Sequence, residues 1–205
     1  NVELMRSRGI TILGPGIGHQ ACGETGPGRM LEPAELVEAV LAAVPSRAAS
    51  AVATGALAGR KVLVTAGPTR ERIDPVRFIT NRSSGKMGYA VAEAARDAGA
   101  EVVLVSGPVN LPAPPGVRRV CVETAEQMLA AVNADLAGTD IFIASAAVSD
   151  YRPVQVSSEK IKKTSDSLLL ALSRTPDILA TVAAGHPRPF VVGFAAETQN
   201  VERNA

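Results

Sequence analysis

The sequence predicts an α/β domain: a mostly parallel sheet with helices on both faces. Three observations carry this. From Lys61 onward, short apolar segments alternate with segments of helical spacing. The strand candidates, such as KVLVT (61–65) and EVVLVS (101–106), are runs apolar enough to be buried. Stop and start signals punctuate the alternation, with Gly99 as a C-cap and Thr124 opening a capping box with Gln127.

Taken in order, residues 1–44 read as one unit. Glu3–Arg8 resembles a short helix end, and Ile10–Leu13 a brief strand. Gly14, Gly16, Gly18, Gly23, Gly26 and Gly28 crowd into a loop ending at Arg29–Met30. Pro33–Val44 places Leu36, Val37, Val40, Leu41 and Val44 at helical spacing. This stretch is too short to bury a core alone, so it is expected to be the tail of a domain that begins earlier. Residues 45–59, rich in Ala, Ser and Gly, read as a linker. Then come strand 61–65, a loop from Ala66, helix 86–98, strand 101–106, strand 117–123, a helix from Thr124 to about Leu136, and strand 140–145. Strand 167–173, helix 176–184 and strand 190–194 complete the pattern, and more chain is expected beyond Ala205.

Composition excludes several classes. The 205 residues allow one ordinary domain, or one plus a fragment. At 46% hydrophobic and 20% charged, the chain is not mostly disordered. A net charge of +1 provides no bulk attraction to nucleic acid or an anionic membrane. Two cysteines and two histidines cannot build a disulfide scaffold or a dense zinc cluster. Cys22 and Cys121 read as reduced thiols. No apolar run approaches the roughly 20 residues needed to span a bilayer, and residues 1–30 lack signal-peptide order. The expected location is the cytoplasm.

Ligands in open α/β sheets sit beyond the carboxyl ends of the strands. Three segments leave that edge. Ala66–Gly88 holds Arg70, Arg72, Arg77, Arg82 and Lys86 against Glu71 and Asp74, and Ser83-Ser84-Gly85 precede a helix start suited to phosphate. It is not a P-loop, because Thr80 and Met87 stand where Gly and Ser/Thr are required. It is not a dinucleotide fingerprint either, with Thr69 and Arg72 in place of the later glycines. Ser145–Pro153 has small Ala146 and Ala147 beside Asp150. Lys160-Ile161-Lys162-Lys163 follows ten residues later, and extended backbone would put Lys160 and Lys162 on one face.

Together these blocks resemble a known family. TAGPTRERIDPVRFITNRSSGKMG (65–88), ASAAVSDY (144–151), KIKK (160–163), PDIL (176–179) and VGFAAET (192–198) are similar to the phosphopantothenate–cysteine ligase domain. The match is to the bacterial form fused to phosphopantothenoylcysteine decarboxylase. ACGETGPGRM (21–30) resembles the decarboxylase's substrate-clamp segment. The resemblance implies a Rossmann-like three-layer domain over residues 60–205, C-terminally incomplete. It is preceded by a partial α/β flavoprotein-type tail (1–44) and a linker (45–59).

The implied reaction is CTP-dependent joining of 4′-phosphopantothenate to L-cysteine, through an acyl-cytidylate, in coenzyme A biosynthesis. Activation gives a carboxylate a leaving group and splits one hard step into two. By the resemblance, Lys160 would meet the α-phosphate. Asn81 and Arg77 would handle the acyl intermediate, with Ala147 leaving room. Gly67, Ser84, Gly85, Lys86 and Met87 would cradle phosphates. Asp150, Pro176, Asp177, Ile178, Leu179 and Phe194 would contact nucleotide. Magnesium would come with CTP and bridge the triphosphate, with few protein ligands. In the parent protein Cys22 would be the decarboxylase proton donor over FMN. The flavin site and catalytic histidine would precede residue 1, so this chain alone would bind no FMN and not decarboxylate. His19 does not fill that histidine's role. The resemblance implies a homodimer of ligase domains, a higher oligomer in the fused parent, small-molecule substrates, no nucleic acid and no membrane. Two rivals stand beside it: a nicotinamide-dependent reductase, disfavoured by the failed glycine fingerprint, and a non-catalytic nucleotide-binding regulatory module.

Overall fold

A computed structural model describes residues 2–14, 16–19, 25–29, 31–43, 55–163 and 166–195. The chain runs through α1 (Val2–Ser7), β1 (Gly16–His19), β2 (Thr25–Arg29), α2 (Pro33–Ala43), β3 (Lys61–Ala66), β4 (Arg70–Arg72), β5 (Phe78–Thr80) and α3 (Lys86–Asp97). It continues through β6 (Glu101–Ser106), β7 (Arg118–Cys121), α4 (Ala125–Asp135), β8 (Ile141–Ala144), β9 (Tyr151–Pro153), β10 (Leu172–Arg174), α5 (Ile178–Ala184) and β11 (Phe190–Gly193).

The central sheet has five strands in the order β11-β8-β3-β6-β7, and every ladder in it is parallel. The expected Rossmann-like α/β architecture is present. Alternate residues of the strands face opposite layers, as the two-residue pleat dictates. Val62, Val64, Val102, Leu104, Ile141 and Ile143 meet Tyr89, Val91, Ala92 and Ala95 of α3. Leu63, Val103, Val105 and Phe142 meet Met128 and Val132 of α4 and Ile178 and Val182 of α5. Both faces are covered, which is why these strands read as unbroken apolar runs. Each fully buried aliphatic side chain contributes about 1.5–3 kcal/mol of transfer free energy.

Chain order moves from β3 outward to β6 and β7, then returns to the other side of β3 for β8 and β11. The direction reverses between β3 and β8. At such a reversal the two connecting loops leave in opposite directions and open a crevice at the carboxyl edge.

Helix ends follow local chemistry. Thr124 and Gln127 form the expected capping box of α4. Gly99 takes φ 92 directly after α3. The last helix starts at Ile178 rather than Pro176, because the Asp177 side chain accepts the Ala180 N–H at 2.8 Å and so occupies the N-cap.

Several expectations are corrected. Ile10–Leu13 is not a strand, since among the described residues none pairs with it as a ladder, although Leu13 packs against the core. The glycine-rich stretch is not wholly loop: β1 and β2 pair antiparallel, Ile17 opposite Pro27 and His19 opposite Thr25. The long loop after β3 carries a hairpin, β4 against β5, with Arg70 opposite Thr80. The expected strand 167–173 is reduced to Leu172–Arg174, which pairs with β9. The end of the expected linker is folded: Leu57 is buried, and its N–H reaches the Ala98 carbonyl at 2.8 Å. Residues 44–54 lie outside the described residues. Leu36 and Val40 of α2 enter the same core as α3. A small apolar cavity of about 20 Å³ lies at this contact.

Candidate functional site

Three loops meet at the carboxyl edge: 67–69 after β3, 145–150 after β8 and 175–177 before α5. Their backbones are stitched together. Ala147 N–H reaches Gly67 O at 2.9 Å, and Thr69 N–H reaches Ala147 O at 3.3 Å, a parallel bridge that extends the β3–β8 pairing past the sheet. Thr69 Oγ1 accepts the Ser149 N–H at 2.9 Å. Thr175 Oγ1 donates to Ser149 O at 2.6 Å, and its N–H reaches Asp150 O at 2.9 Å. Chain segments 80 residues apart in sequence thus form one rim.

Beneath that rim an open cleft of about 730 Å³ lies on the α4–α5 side of the sheet. Thr65, Ala144, Ala146, Val148, Asp150, Tyr151, Arg174, Thr175, Pro176, Asp177, Ile178 and Leu179 line it. Of the residues expected to contact nucleotide, Asp150, Pro176, Asp177, Ile178 and Leu179 are therefore brought together. Phe194 is not with them. It packs on the α2–α3 side, half-buried against the apolar core, as apolar residues ending a strand commonly do.

The start of α3 lies on that second side. Gly85 caps it at φ 73, without a side-chain cap. Ser84 Oγ accepts the Lys86 N–H only at 3.4 Å. The opening turn therefore presents backbone donors and the positive end of the helix dipole. Close packing demands glycine here. A Cβ on Gly85 would meet Val109 Cγ1 at 2.8 Å and Gly67 Cα at 3.3 Å. A Cβ on Gly88 would meet Ala66 Cβ at 2.5 Å and Ser145 Oγ at 2.6 Å. The helix thus begins directly over the ends of β3 and β8. Lys86 and Ser84 are exposed and Met87 is half-buried.

Asn81 follows β5 and donates through Nδ2 to Val148 O at 2.9 Å. Ala147, half-buried, is the adjacent residue on that loop. Asn81 and Ala147 are therefore brought to one place. Arg77, expected to handle the acyl intermediate, is tied to its own neighbours. Its Nε and Nη2 donate to Asp74 Oδ2 at 3.0 and 2.5 Å, and Nη2 also donates to Ile161 O at 2.9 Å. The Asp74 carboxylate, fully covered, also accepts the N–H groups of Val76 and Arg77 at 2.8 Å and of Ile161 at 3.2 Å. The Arg77 guanidinium, aided by these N–H groups and opposed by desolvation, holds this carboxyl well below the usual carboxylate range. Lys160 is exposed and directly precedes the gripped Ile161. Cys22 lies outside the described residues.

Sequence reasoning missed Thr65, Thr69, Tyr151, Ser149, Arg174 and Thr175. Arg174 is the basic residue among the cleft's liners, and its position just before the PDIL block was the available signal. Thr69 and Ser149 gave none, since a bond from one residue's backbone N–H to the other's hydroxyl across 80 residues leaves no local pattern. Among the described residues no group of three or more His, Cys, Asp or Glu side chains is arranged to hold a metal ion. No helix among them is long and apolar enough to cross a membrane.

Residues 57–205 match the family described as "DNA/pantothenate metabolism flavoprotein C-terminal domain". The chain is 52% identical over 208 residues to the coenzyme A biosynthesis bifunctional protein CoaBC of Vibrio cholerae, covering 100% of this chain and 50% of that protein. Identity to the protein of the same description from Escherichia coli K12 is 52% over 209 residues, again 100% and 50%. The chain thus spans about half the length of these relatives. A solved structure of the C-terminal domain of CoaBC superposes with TM-score 0.65 at 51% identity, covering 73% of this chain and 71% of that one.

Proposed function

This chain belongs to the DNA/pantothenate metabolism flavoprotein C-terminal domain family, and from that premise we propose that it binds CTP and ligates 4′-phosphopantothenate to L-cysteine in coenzyme A biosynthesis. The observation that carries the reading is the β3–β8 crevice, with the glycine-capped start of α3 on one side and the 730 Å³ cleft on the other. A nucleotide crossing the sheet edge would lay its phosphates on Gly67, Ser84, Gly85, Lys86 and Met87. Its nucleoside would lie in the cleft beside Asp150, Pro176, Asp177, Ile178 and Leu179.

In the first step a carboxylate oxygen of phosphopantothenate attacks the α-phosphorus, and pyrophosphate leaves. Lys160 neutralises charge building on the α-phosphate. In the second step the cysteine amine attacks the acyl carbon, loses a proton, and CMP departs. Asn81, oriented by Val148 O, steadies the acyl oxygen, while Ala147 keeps that centre open. Arg77 acts at the acyl intermediate from its place beside Asp74. Magnesium comes with the triphosphate, and phosphate oxygens and water supply most of its ligands.

The wider reading rests on the same resemblance. Residues 1–44 are the tail of a decarboxylase domain and 60–205 the ligase domain, with the linker between them ending before Leu57, which packs in the core. The parent protein carries FMN and uses Cys22 as proton donor. The protein works in the cytoplasm as a homodimer of ligase domains within a larger oligomer. Exposed Leu168, Leu169, Leu170 and Leu172 support such self-association.

The test mixes full-length protein with magnesium, CTP and phosphopantothenate and follows pyrophosphate with and without cysteine. Lys160→Gln blocks pyrophosphate release, and Asn81→Asp lets the acyl-cytidylate accumulate. Tight CTP binding without pyrophosphate points to a regulatory module, and nicotinamide reduction to a reductase. Normal amide yield from Asn81→Asp refutes its assigned role.

A further inference from the structure

We propose that Asp74 is a positioning residue that fixes the Lys160 segment against the β4–β5 hairpin, so that the lysine stands ready at the crevice. The geometry is a two-point grip on one residue. Asp74 Oδ2 accepts the Ile161 N–H at 3.2 Å, and Arg77 Nη2, itself held by the same carboxylate, donates to Ile161 O at 2.9 Å. Both backbone polar groups of Ile161 are thereby engaged. A third tie, Ser157 N–H to Ile73 O at 3.0 Å, anchors the segment four residues earlier.

The carboxylate itself cannot wander. Its side chain is 0% exposed, and its other oxygen accepts the N–H groups of Val76 and Arg77. The hairpin turn therefore holds Asp74, Asp74 orients Arg77, and both hold Ile161. Lys160 and Lys162 flank the gripped residue, and their side chains are exposed. A long, rotamer-rich lysine adds most to a reaction when its backbone is already fixed, because less freedom remains to be lost at the transition state. The catalytic half of this proposal rests on the reading that Lys160 acts on CTP. The mechanical half does not.

Two measurements on the full-length protein separate the halves. The first is limited trypsinolysis, with mass spectrometry locating cleavage after Lys160, Lys162 and Lys163. In Asp74→Asn the carboxylate's charge is gone and the grip on Arg77 weakens, so cleavage there quickens roughly tenfold or more. The second is pyrophosphate release. Asp74→Asn lowers kcat roughly tenfold while the KM for phosphopantothenate moves little. If Asp74→Asn does not fold, Asp74→Glu, which keeps the charge but moves the acceptor oxygens by one methylene and so spoils the fit to Arg77 and the Ile161 N–H, takes its place in both assays. Unchanged cleavage overturns the grip. Faster cleavage with unchanged kcat overturns the positioning role. A wild-type protein that releases no pyrophosphate, yet shows the cleavage difference, overturns the CTP reading and leaves the grip standing.

Discussion

The hydroxyl oxygen of Thr69 accepts the backbone N–H of Ser149 at 2.9 Å, joining the loop after β3 to the loop after β8. Both residues are buried. Thr69→Val keeps the shape and removes the acceptor, leaving a buried N–H without its partner. The expected cost is about 1–3 kcal/mol in urea unfolding. Thr69→Ser restores the acceptor and recovers most of the loss. If Val and Ser variants unfold alike, the bond is not what holds this rim.

Gly85 sits at φ 73 where α3 begins. Gly85→Ala places a methyl in left-handed backbone, which costs about 1–2 kcal/mol before contacts are counted. It also drives that methyl toward Val109 and Gly67. The variant should unfold at lower urea and bind CTP more weakly by calorimetry. Unchanged CTP affinity in a destabilised protein would place the phosphates away from this turn.

Leu36 of α2 is 2% exposed although it precedes the matched family region. Leu36→Ala should cost about 2–5 kcal/mol, read from the shift in urea midpoint. A loss that small surface substitutions also produce would mean α2 is only draped on the core.

Asp74 has a depressed folded pKa, so its stabilising contribution is complete above the unfolded value of 3.8 and is lost as pH falls below it. The stability gap between wild type and Asp74→Asn should stay level from about pH 7 to about pH 5, then narrow under stronger acid. Urea melts across that range measure it. A gap that narrows near neutrality would assign the titration to another group.

The sheet was legible because its strands are buried on both sides. KVLVT, EVVLVS and DIFIAS can hardly be anything else between polar punctuation. Thr124 and Gln127 announced their helix because capping is local chemistry. The β4–β5 hairpin was not legible: Arg70–Arg72 and Phe78–Thr80 are three-residue strands with no apolar face to alternate. Glycine-rich 16–19 and 25–29 looked like loop, since glycine hides strand preference. At the site, Asp150 and the PDIL block line one cleft, as motifs leaving the same sheet edge can be read to do. Arg77 was assigned by resemblance, and neither a motif match nor a charge reveals that a neighbour three residues back has already engaged it.

At Gly88 a lone α-hydrogen fills the whole gap between a helix and the strand below, with Ala66 and Ser145 on the far wall. A single methyl would lever the helix axis outward and swing its leading amides off the crevice. The seating of the helix on the sheet and the aim of its leading amides therefore depend on one atom.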